Sequence, residues 1–526
     1  SFKRVTLMVL AATQFLMVLD AAVMNVSISQ LVVDFDTSVT AIQAVITLYS
    51  LTMAALMLTG ARVGDILGRR RAFTIGLVIY CTGSALTAVS WSVPSLMFGW
   101  SILEGVGAAL VLPALAALIA SNFTANNRVV AYAVIGGVAG AGIAIGPILG
   151  GWLTTEYSWR IVFIGEVIIA VAIIFGIKTV DDARIAGRTP QFDWLGSGLS
   201  TLGLVAFVLA LLMSSTWGWL VPKRSPISPF GFSLTLFVLV GGIGLLAVFV
   251  WWQRRRESRG QDPLVHLGLL GFAQLRSGYL CYLAQNLILM GVFFVVPLYL
   301  QIVQGLDALE TGLKMIPVSV TMFVTSVAGS RLSGRFSARS LARTGFCVIL
   351  IATVLLLQTI DIQLASRPFL LGMALLGVGM GLIASQLGNV IQSAVGEDER
   401  SEAGGFQYTS QQLGSALGVA LIGAIVLGGL VQSFSTQIAQ DERIAAATTE
   451  SVRIEIDKGV SFVSSDQVRI AGLDAGIPAE ELDALVASYE SSQIFALKTG
   501  LLAASVVALV ALLATSGLPR RPATAT

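Results

Sequence analysis

The sequence predicts an all-α integral membrane protein with fourteen spanning helices, and three observations carry that prediction. Apolar residues make up 55% of the 526-residue chain and charged residues only 12%, against roughly 45–50% and 25% in soluble domains. The apolar residues gather into fourteen windows, each close to the ~20 residues a helix needs to cross a bilayer. The basic residues crowd into alternate connections between those windows, the asymmetry that orients membrane proteins.

The windows lie near 5–28, 42–61, 73–91, 95–119, 130–153, 161–179, 194–213, 231–252, 277–301, 312–331, 342–360, 368–390, 404–431 and 493–517. An even number puts both termini on one side. With that side cytoplasmic, most of the 32 Lys+Arg fall inside, among them Lys3, Arg62, Arg128, Arg184, Arg188, Arg400 and Arg521. The chain is therefore expected to be a multi-pass protein of the plasma (inner) membrane. Its first window contains Asp20 and Asn25 and lacks a small-residue cleavage site, so it is expected to be a retained helix rather than a signal peptide. The segment 432–492 is too polar to span and is placed outside; Pro478, Glu480 and Glu481 open a helix leading into the last window.

The first six and last six windows are separated by two additional ones and the basic run Arg254-Arg255-Arg256-Glu257-Ser258-Arg259. This divides the chain into an N-terminal six-helix bundle (1–180), two additional spans with a basic linker (181–260), and a C-terminal bundle (261–526) that includes the external loop. Gly60-Ala61-Arg62 after the second window recurs as Gly329-Ser330-Arg331 after the tenth, the equivalent position if the halves arose by duplication.

Several function classes are excluded. A net charge of +2 gives no field for nucleic acid. Cys81, Cys281 and Cys347 lie in apolar runs without metal or disulfide spacing and are expected to be packing residues. The single histidine, His266, rules out a histidine metal cluster within the chain. No nucleophile stands with a partnered base, and no glycine-rich loop follows a strand. Neither an enzyme, nor a cofactor, nor a metal is expected.

Three motifs give a sharper expectation. The run Gly60-Ala61-Arg62-Val63-Gly64-Asp65-Ile66-Leu67-Gly68-Arg69-Arg70-Arg71 resembles the cytoplasmic loop of the major facilitator superfamily. Physically, Gly64 and Gly68 let two helix ends approach, while Asp65, Arg69 and Arg70 can pair with each other and with helix termini, latching one conformation. Gly142-Ile143-Ala144-Ile145-Gly146-Pro147-Ile148-Leu149-Gly150-Gly151 resembles the motif associated with antiporters in that superfamily. Its glycines recur every four residues, which permits tight helix packing, and Pro147 perturbs the same helix. Leu19-Asp20-Ala21-Ala22-Val23-Met24-Asn25-Val26 resembles the first-helix motif of the fourteen-helix drug:proton antiporters. The resemblance covers the chain apart from 432–492 and implies a major facilitator fold, two six-helix bundles plus two linker helices around a cavity that opens alternately to each side. The chain departs from the pattern twice. Ser101-Ile102-Leu103-Glu104-Gly105 lacks the fourth-span arginine and carries Glu104 for a usual glutamine, and Glu166 stands where relatives place an asparagine.

Acids at bilayer depth cost about 2.5–3.5 kcal/mol on insertion scales, so Asp20, Glu104 and Glu166 call for a purpose. At about 1.5 Å per residue they lie roughly 12, 14 and 8 Å below the outer helix ends and can share one layer. Poorly solvated carboxylates without a nearby cation are suited to carrying protons, which makes the three acids the expected coupling residues; the alternative is that one or more are structural, hydrogen-bonded to neighbouring helices or facing lipid headgroups. The second half has no comparable acid; Asn25 of the first span, with Gln285, Asn286, Met290, Phe293, Gln301, Gln407, Tyr408 and Gln411, is expected to line a substrate cavity. The same residue types serve equally as interhelical links.

The expected function is proton-coupled export of amphipathic, cationic small molecules, with protons and membrane lipids as the other partners. Export of a lipid or glycolipid on the same fold, and a membrane sensor built on the 432–492 loop, are the alternatives. The low-charge surface suits monomer and dimer alike.

Overall fold

A computed structural model describes residues 3–123, 125–182, 191–332, 335–396, 400–445, 448–449, 451–452 and 462–520. Among these residues all regular structure is helical. That follows from composition: in a bilayer the backbone must satisfy its own hydrogen bonds, and an isolated apolar segment does so only as a helix.

The first six spanning helices are α1 (Arg4–Val26), α2 (Val39–Leu67), α3 (Arg69–Ala88), α4 (Val93–Leu96 continuing through Gly105–Asn122), α5 (Ala125–Glu156) and α6 (Arg160–Gly176). Then come α7 (Trp194–Trp217) and α8 (Leu234–Ser258). The last six are α9 (Ala273–Val303), α10 (Ala308–Leu332), α11 (Ala338–Thr359), α12 (Ser366–Ser393), α13 (Glu402–Gln440) and α14 (Ala479–Ala514). Thirteen of these have the length and apolarity to cross a membrane, and α5, at 32 residues, covers the remaining expected window.

Helix ends follow local chemistry. Ser38, Asp193, Ser233 and Ser337 cap α2, α7, α8 and α11 through their side-chain oxygens. Gly68, at φ +96°, separates α2 from α3 in a conformation that L side chains resist.

Within the first half α1 packs on α5 and α6, and α4 on α2 and α3; in the second, α9 packs on α13 and α12 on α10 and α11. The halves meet through α2 against α13 and α5 against α10. Second helix meets fifth twice, as a pseudo-twofold axis requires. The Gly-x-Arg recurrence has a structural counterpart. A Cβ on Gly60 would lie 2.2 Å from the Ala109 carbonyl oxygen of α4, and one on Gly329 would lie 2.3 Å from Ser385 Oγ of α12. Each glycine lets the second helix of its half touch the fourth.

Helix α7 fills the space beside α2 and α13, while α8 packs mainly on α7 and leaves Val240, Ile243 and Trp251 exposed, as a lipid-facing helix would. The pair is knotted by Asp193, 1% exposed. Its carboxylate accepts from Gly196 N (2.9 Å), Trp252 Nε1 (3.0 Å) and Gln253 Nε2 (2.8 Å), with Arg256 Nη1 3.8 Å away. A buried carboxylate persists where its oxygens are so satisfied.

Some sequence expectations need correction. The basic run opening at Arg254 is helical, because α8 continues to Ser258. The helix opening behind Pro478 stands as expected, with α14 beginning at Ala479, but α13 runs past its window to Gln440, because amphipathic turns continue beyond the apolar residues. A short helix, Ser465–Asp474, lies between them. Cys281 is buried and Cys81 partly so, but Cys347 is exposed on the outer face of α11 and packs nothing inside. Arg184, Arg188 and Arg521, used for the orientation, lie outside the described residues, as do the side chains of Arg128, Ser330 and Arg400.

Candidate functional site: a buried carboxylate cluster in the first half

Asp20 on α1, Glu104 on α4 and Glu166 on α6 converge. Each offers a carboxylate oxygen within 4.8 Å of the others, and they are 0%, 0% and 1% exposed. Local structure explains how α4 delivers its side chains. Residues Met97–Glu104 form a π-helical stretch, a widened turn often found at functional positions. Within it Ser101 donates to the Val45 carbonyl of α2 (2.7 Å), fixing the stretch against its neighbour.

Each acid has one hydrogen-bonded and one unpartnered oxygen. Asp20 Oδ1 accepts from Trp100 Nε1 at 2.6 Å, and the Trp100 ring is stacked on Tyr49 with centroids 4.3 Å apart. Glu166 Oε2 accepts from Tyr80 (3.1 Å) and Ser84 (3.3 Å), and Glu104 Oε1 accepts from Thr87 (3.2 Å). Asp20 Oδ2, Glu104 Oε2 and Glu166 Oε1 have no hydrogen-bond partner. Among the described residues none of the three forms an ion pair. Three such groups repel one another when all are ionised, so the free oxygens of the cluster can take protons or a cation between them. An all-oxygen donor set of this kind suits a hard cation as well as a proton.

Sequence reasoning named the three acids but missed Trp100, Tyr49 and Tyr80, which hold them. The four-residue step from Trp100 to Glu104 is a readable signal; the π-helical register and the stacking are not.

The run expected as a loop is the end of α2 and the start of α3 with Gly68 alone between them, and its contacts lie within the first half. Asp65 Oδ1 lies 3.7 Å from Arg69 Nη2. Arg70 donates its backbone N–H to Asp182 (3.2 Å) and Nη1 to the Val180 carbonyl (3.3 Å), so the start of α3 grips the segment after α6. Lys3 adds an ion pair to Asp181 beside it. Gly64 is buried in α2.

The glycine motif of α5 serves two neighbours. Gly142, Gly146 and Gly150 face Val18, Ala22 and Val23 of α1, while Gly151 approaches the Ala308 carbonyl of α10 and Gly312 of α10 approaches that of Pro147. The motif thus joins the helix that carries Asp20 to the opposite half.

The polar residues expected to line a cavity are dispersed. Gln301, 7% exposed, donates to the Val26 carbonyl (2.8 Å) and accepts from Ser29, linking α9 to the end of α1. Gln285 donates to the Met380 carbonyl of α12 at 2.9 Å. Asn25 and Asn286 donate to carbonyls one turn back in their own helices, and Asn25 Oδ1 has no partner. Phe293 is buried; Met290, Gln407, Tyr408 and Gln411 are half-buried. Gly414 and Gly418 of α13 press on the Leu283 and Leu287 carbonyls of α9, so Gln407 and Gln411, on the same face by helical spacing, border that seam.

A polytopic helical protein with pseudo-twofold halves and a shielded acidic cluster in one of them belongs to the class of membrane carriers. Residues 10–193 and 185–419 match the Major Facilitator Superfamily, and the chain belongs to that family. It is 31% identical to a puromycin resistance protein of Streptomyces alboniger, covering 80% of this chain and 81% of that one. It is 27% identical to the multidrug efflux pump LfrA of Mycolicibacterium smegmatis, over 93% and 91% of the two chains. Among solved structures, a bacterial homologue of the human lysosomal transporter Spinster superposes with a TM-score of 0.60 at 13% identity, covering 98% of both chains. That likeness is one of fold.

Proposed function

We propose that this chain exports amphipathic, cationic small molecules in exchange for protons, by alternating access across the plasma (inner) membrane. The observation that carries the reading is the convergence of Asp20, Glu104 and Glu166, each with an unpartnered oxygen, on helices of one half. A proton entering from outside and a cationic substrate arriving from inside compete for the same negative charge, which gives exchange instead of leak. The names of the relatives, for drug resistance and efflux, support the direction.

In this reading 1–180 and 261–526 rock against each other, and 181–260 supplies the additional pair and its basic linker. Both termini face the cytoplasm, by the side on which arginine and lysine accumulate. Gly64, Asp65, Gly68, Arg69 and Arg70 form the latch on that face. The glycine motif of α5 transmits movement between α1 and α10. Gln407, Tyr408, Gln411, Asn286 and Met290 border the substrate path. The protein acts as a carrier and makes or breaks no covalent bond.

The test is reconstitution in liposomes under an imposed pH gradient, following uptake of a panel of lipophilic cations together with internal pH. Gradient-driven flux with matching proton movement, lost in Asp20→Asn, is the expected result. Flux that is indifferent to the gradient, or an Asp20→Asn variant that still couples, would overturn the reading.

A further inference from the structure

Three arginines face one groove where α11 meets the end of the chain. The groove holds about 620 Å³, and its lining includes Arg339, Arg343 and Arg520 with Ser340, Thr344 and Cys347. Among the described residues none of these arginines forms an ion pair. Arg339 donates Nε to the Leu518 carbonyl (3.0 Å) and Nη2 to that of Ser516, and Arg343 donates Nε to Thr515 Oγ1 (3.0 Å). A guanidinium has five N–H donors, so these bonds anchor each side chain and leave further donors for a ligand.

The groove does not end at the arginines. A second one of about 320 Å³, lined by Leu350, Ile351, Val354, Leu355 and Gln358, continues along the same helix. Ile351 is 60% and Val354 43% exposed, and Arg343, Cys347, Ile351 and Val354 follow at spacings that keep them on one face. From Arg343 to Val354 is about 16 Å of helix, close to half of a hydrocarbon core about 30 Å thick.

We propose that this face of α11 is a binding site for an anionic phospholipid of the surrounding bilayer, its phosphate among Arg339, Arg343 and Arg520 and an acyl chain along Cys347, Ile351 and Val354. Charge selects the headgroup: three cations without a counter-acid favour a net-negative lipid over a zwitterionic one. The apolar continuation selects a lipid over a soluble anion, which would use the arginines and leave the second groove bare. The site lies on the outer face of the second half and is independent of the carboxylate cluster.

The full chain is reconstituted in nanodiscs of equal phosphatidylglycerol and phosphatidylcholine, and the lipids retained on release are counted by native mass spectrometry. Wild type retains phosphatidylglycerol in preference, and Arg343→Gln/Arg520→Gln lowers that retention about tenfold while phosphatidylcholine retention stays unchanged. Equal retention of both lipids by wild type overturns the site, as does undiminished phosphatidylglycerol in the variant. Displacement of the lipid by millimolar inorganic phosphate overturns the lipid assignment in favour of a soluble-anion site. Arg520→Gln alone, beyond the last helix, gives the same readout should the double variant fail to insert, and an unchanged count there also overturns the proposal.

Discussion

The two halves surround chemically opposite contents with the same helix packing. In the first, α1 meets α4 through Asp20 and Trp100 (2.6 Å), with Glu104 close by. In the second, α9 meets α12 through Gln285 and the Met380 carbonyl (2.9 Å). The glycine contacts fix the correspondence: Glu104 lies five residues before Ala109, which Gly60 touches, and Met380 lies five before Ser385, which Gly329 touches. Met380 therefore stands where Glu104 stands. An amide and a methionine suffice to join these helices, so the fold does not need acids at this position. The acids of the first half are the candidates for a role beyond architecture proposed above.

The largest expected effect follows from that difference. Asp20→Asn keeps a carbonyl oxygen for Trp100 but removes the charge; gradient-driven exchange should fall about two orders of magnitude, the scale of a lost proton-transfer group. Thermal unfolding in detergent should move little. A variant that unfolds instead would mean that the acid is structural and would break the comparison. Next in size, Gly60→Leu and Gly329→Leu each force a side chain into a backbone or Ser385 contact. Each should cost about 1–3 kcal/mol, read as a lowered unfolding midpoint, and similar losses sharpen the twofold correspondence. Of the same order, Trp100→Phe removes the hydrogen bond to a buried carboxylate and should cost about 1.5–3 kcal/mol, whereas Gln285→Leu should cost about 1 kcal/mol. Only the Trp100 variant should also slow exchange.

The fold was legible because lipid imposes a simple code. Fourteen apolar windows became fourteen helices, and errors fell at their ends, where polar amphipathic turns prolong α8 and α13 beyond what hydropathy marks. The site was half legible. Acids in apolar runs announce themselves by their cost, so Asp20, Glu104 and Glu166 stood out. Their partners did not, since Tyr49, Tyr80 and Trp100 read as ordinary core aromatics and the π-helical turn of α4 has no sequence signature. The amides Gln285 and Gln301 were legible as polar residues with both readings open, cavity lining and interhelical link, because an amide facing a cavity and one facing a carbonyl of the next helix look alike in sequence. Gly142, Gly146 and Gly150 read correctly as a packing face; that α5 also reaches α10 needed the three-dimensional arrangement.

The halves differ in how their ends beside Asp65 are held, and this gives the smallest prediction. The first half is held there by carboxylate–cation pairs, Asp65 with Arg69 and Lys3 with Asp181. In the second, the segment leading into α9 is tied to α13 by a group that titrates: His266 Nδ1 lies 2.7 Å from Glu402 Oε2, and the His266 backbone N–H donates to the same carboxylate. The bond to Glu402 draws the imidazole above its ordinary value of 6.5, burial opposes it, Glu257 adds attraction and Arg62 repulsion. Because the folded imidazole holds its proton more tightly than the unfolded one, the stabilisation is fully present below the ordinary value and fades as pH rises through the higher folded value. His266→Gln should therefore unfold at a lower temperature than wild type at about pH 5.5 and converge with it towards about pH 8.5, on either side of the ordinary imidazole range. The effect should be small, since His266 is half exposed and solvent screens the pair. A gap that widens with rising pH would instead mean that the neutral ring is the form held and that the two ends do not differ through a protonated histidine.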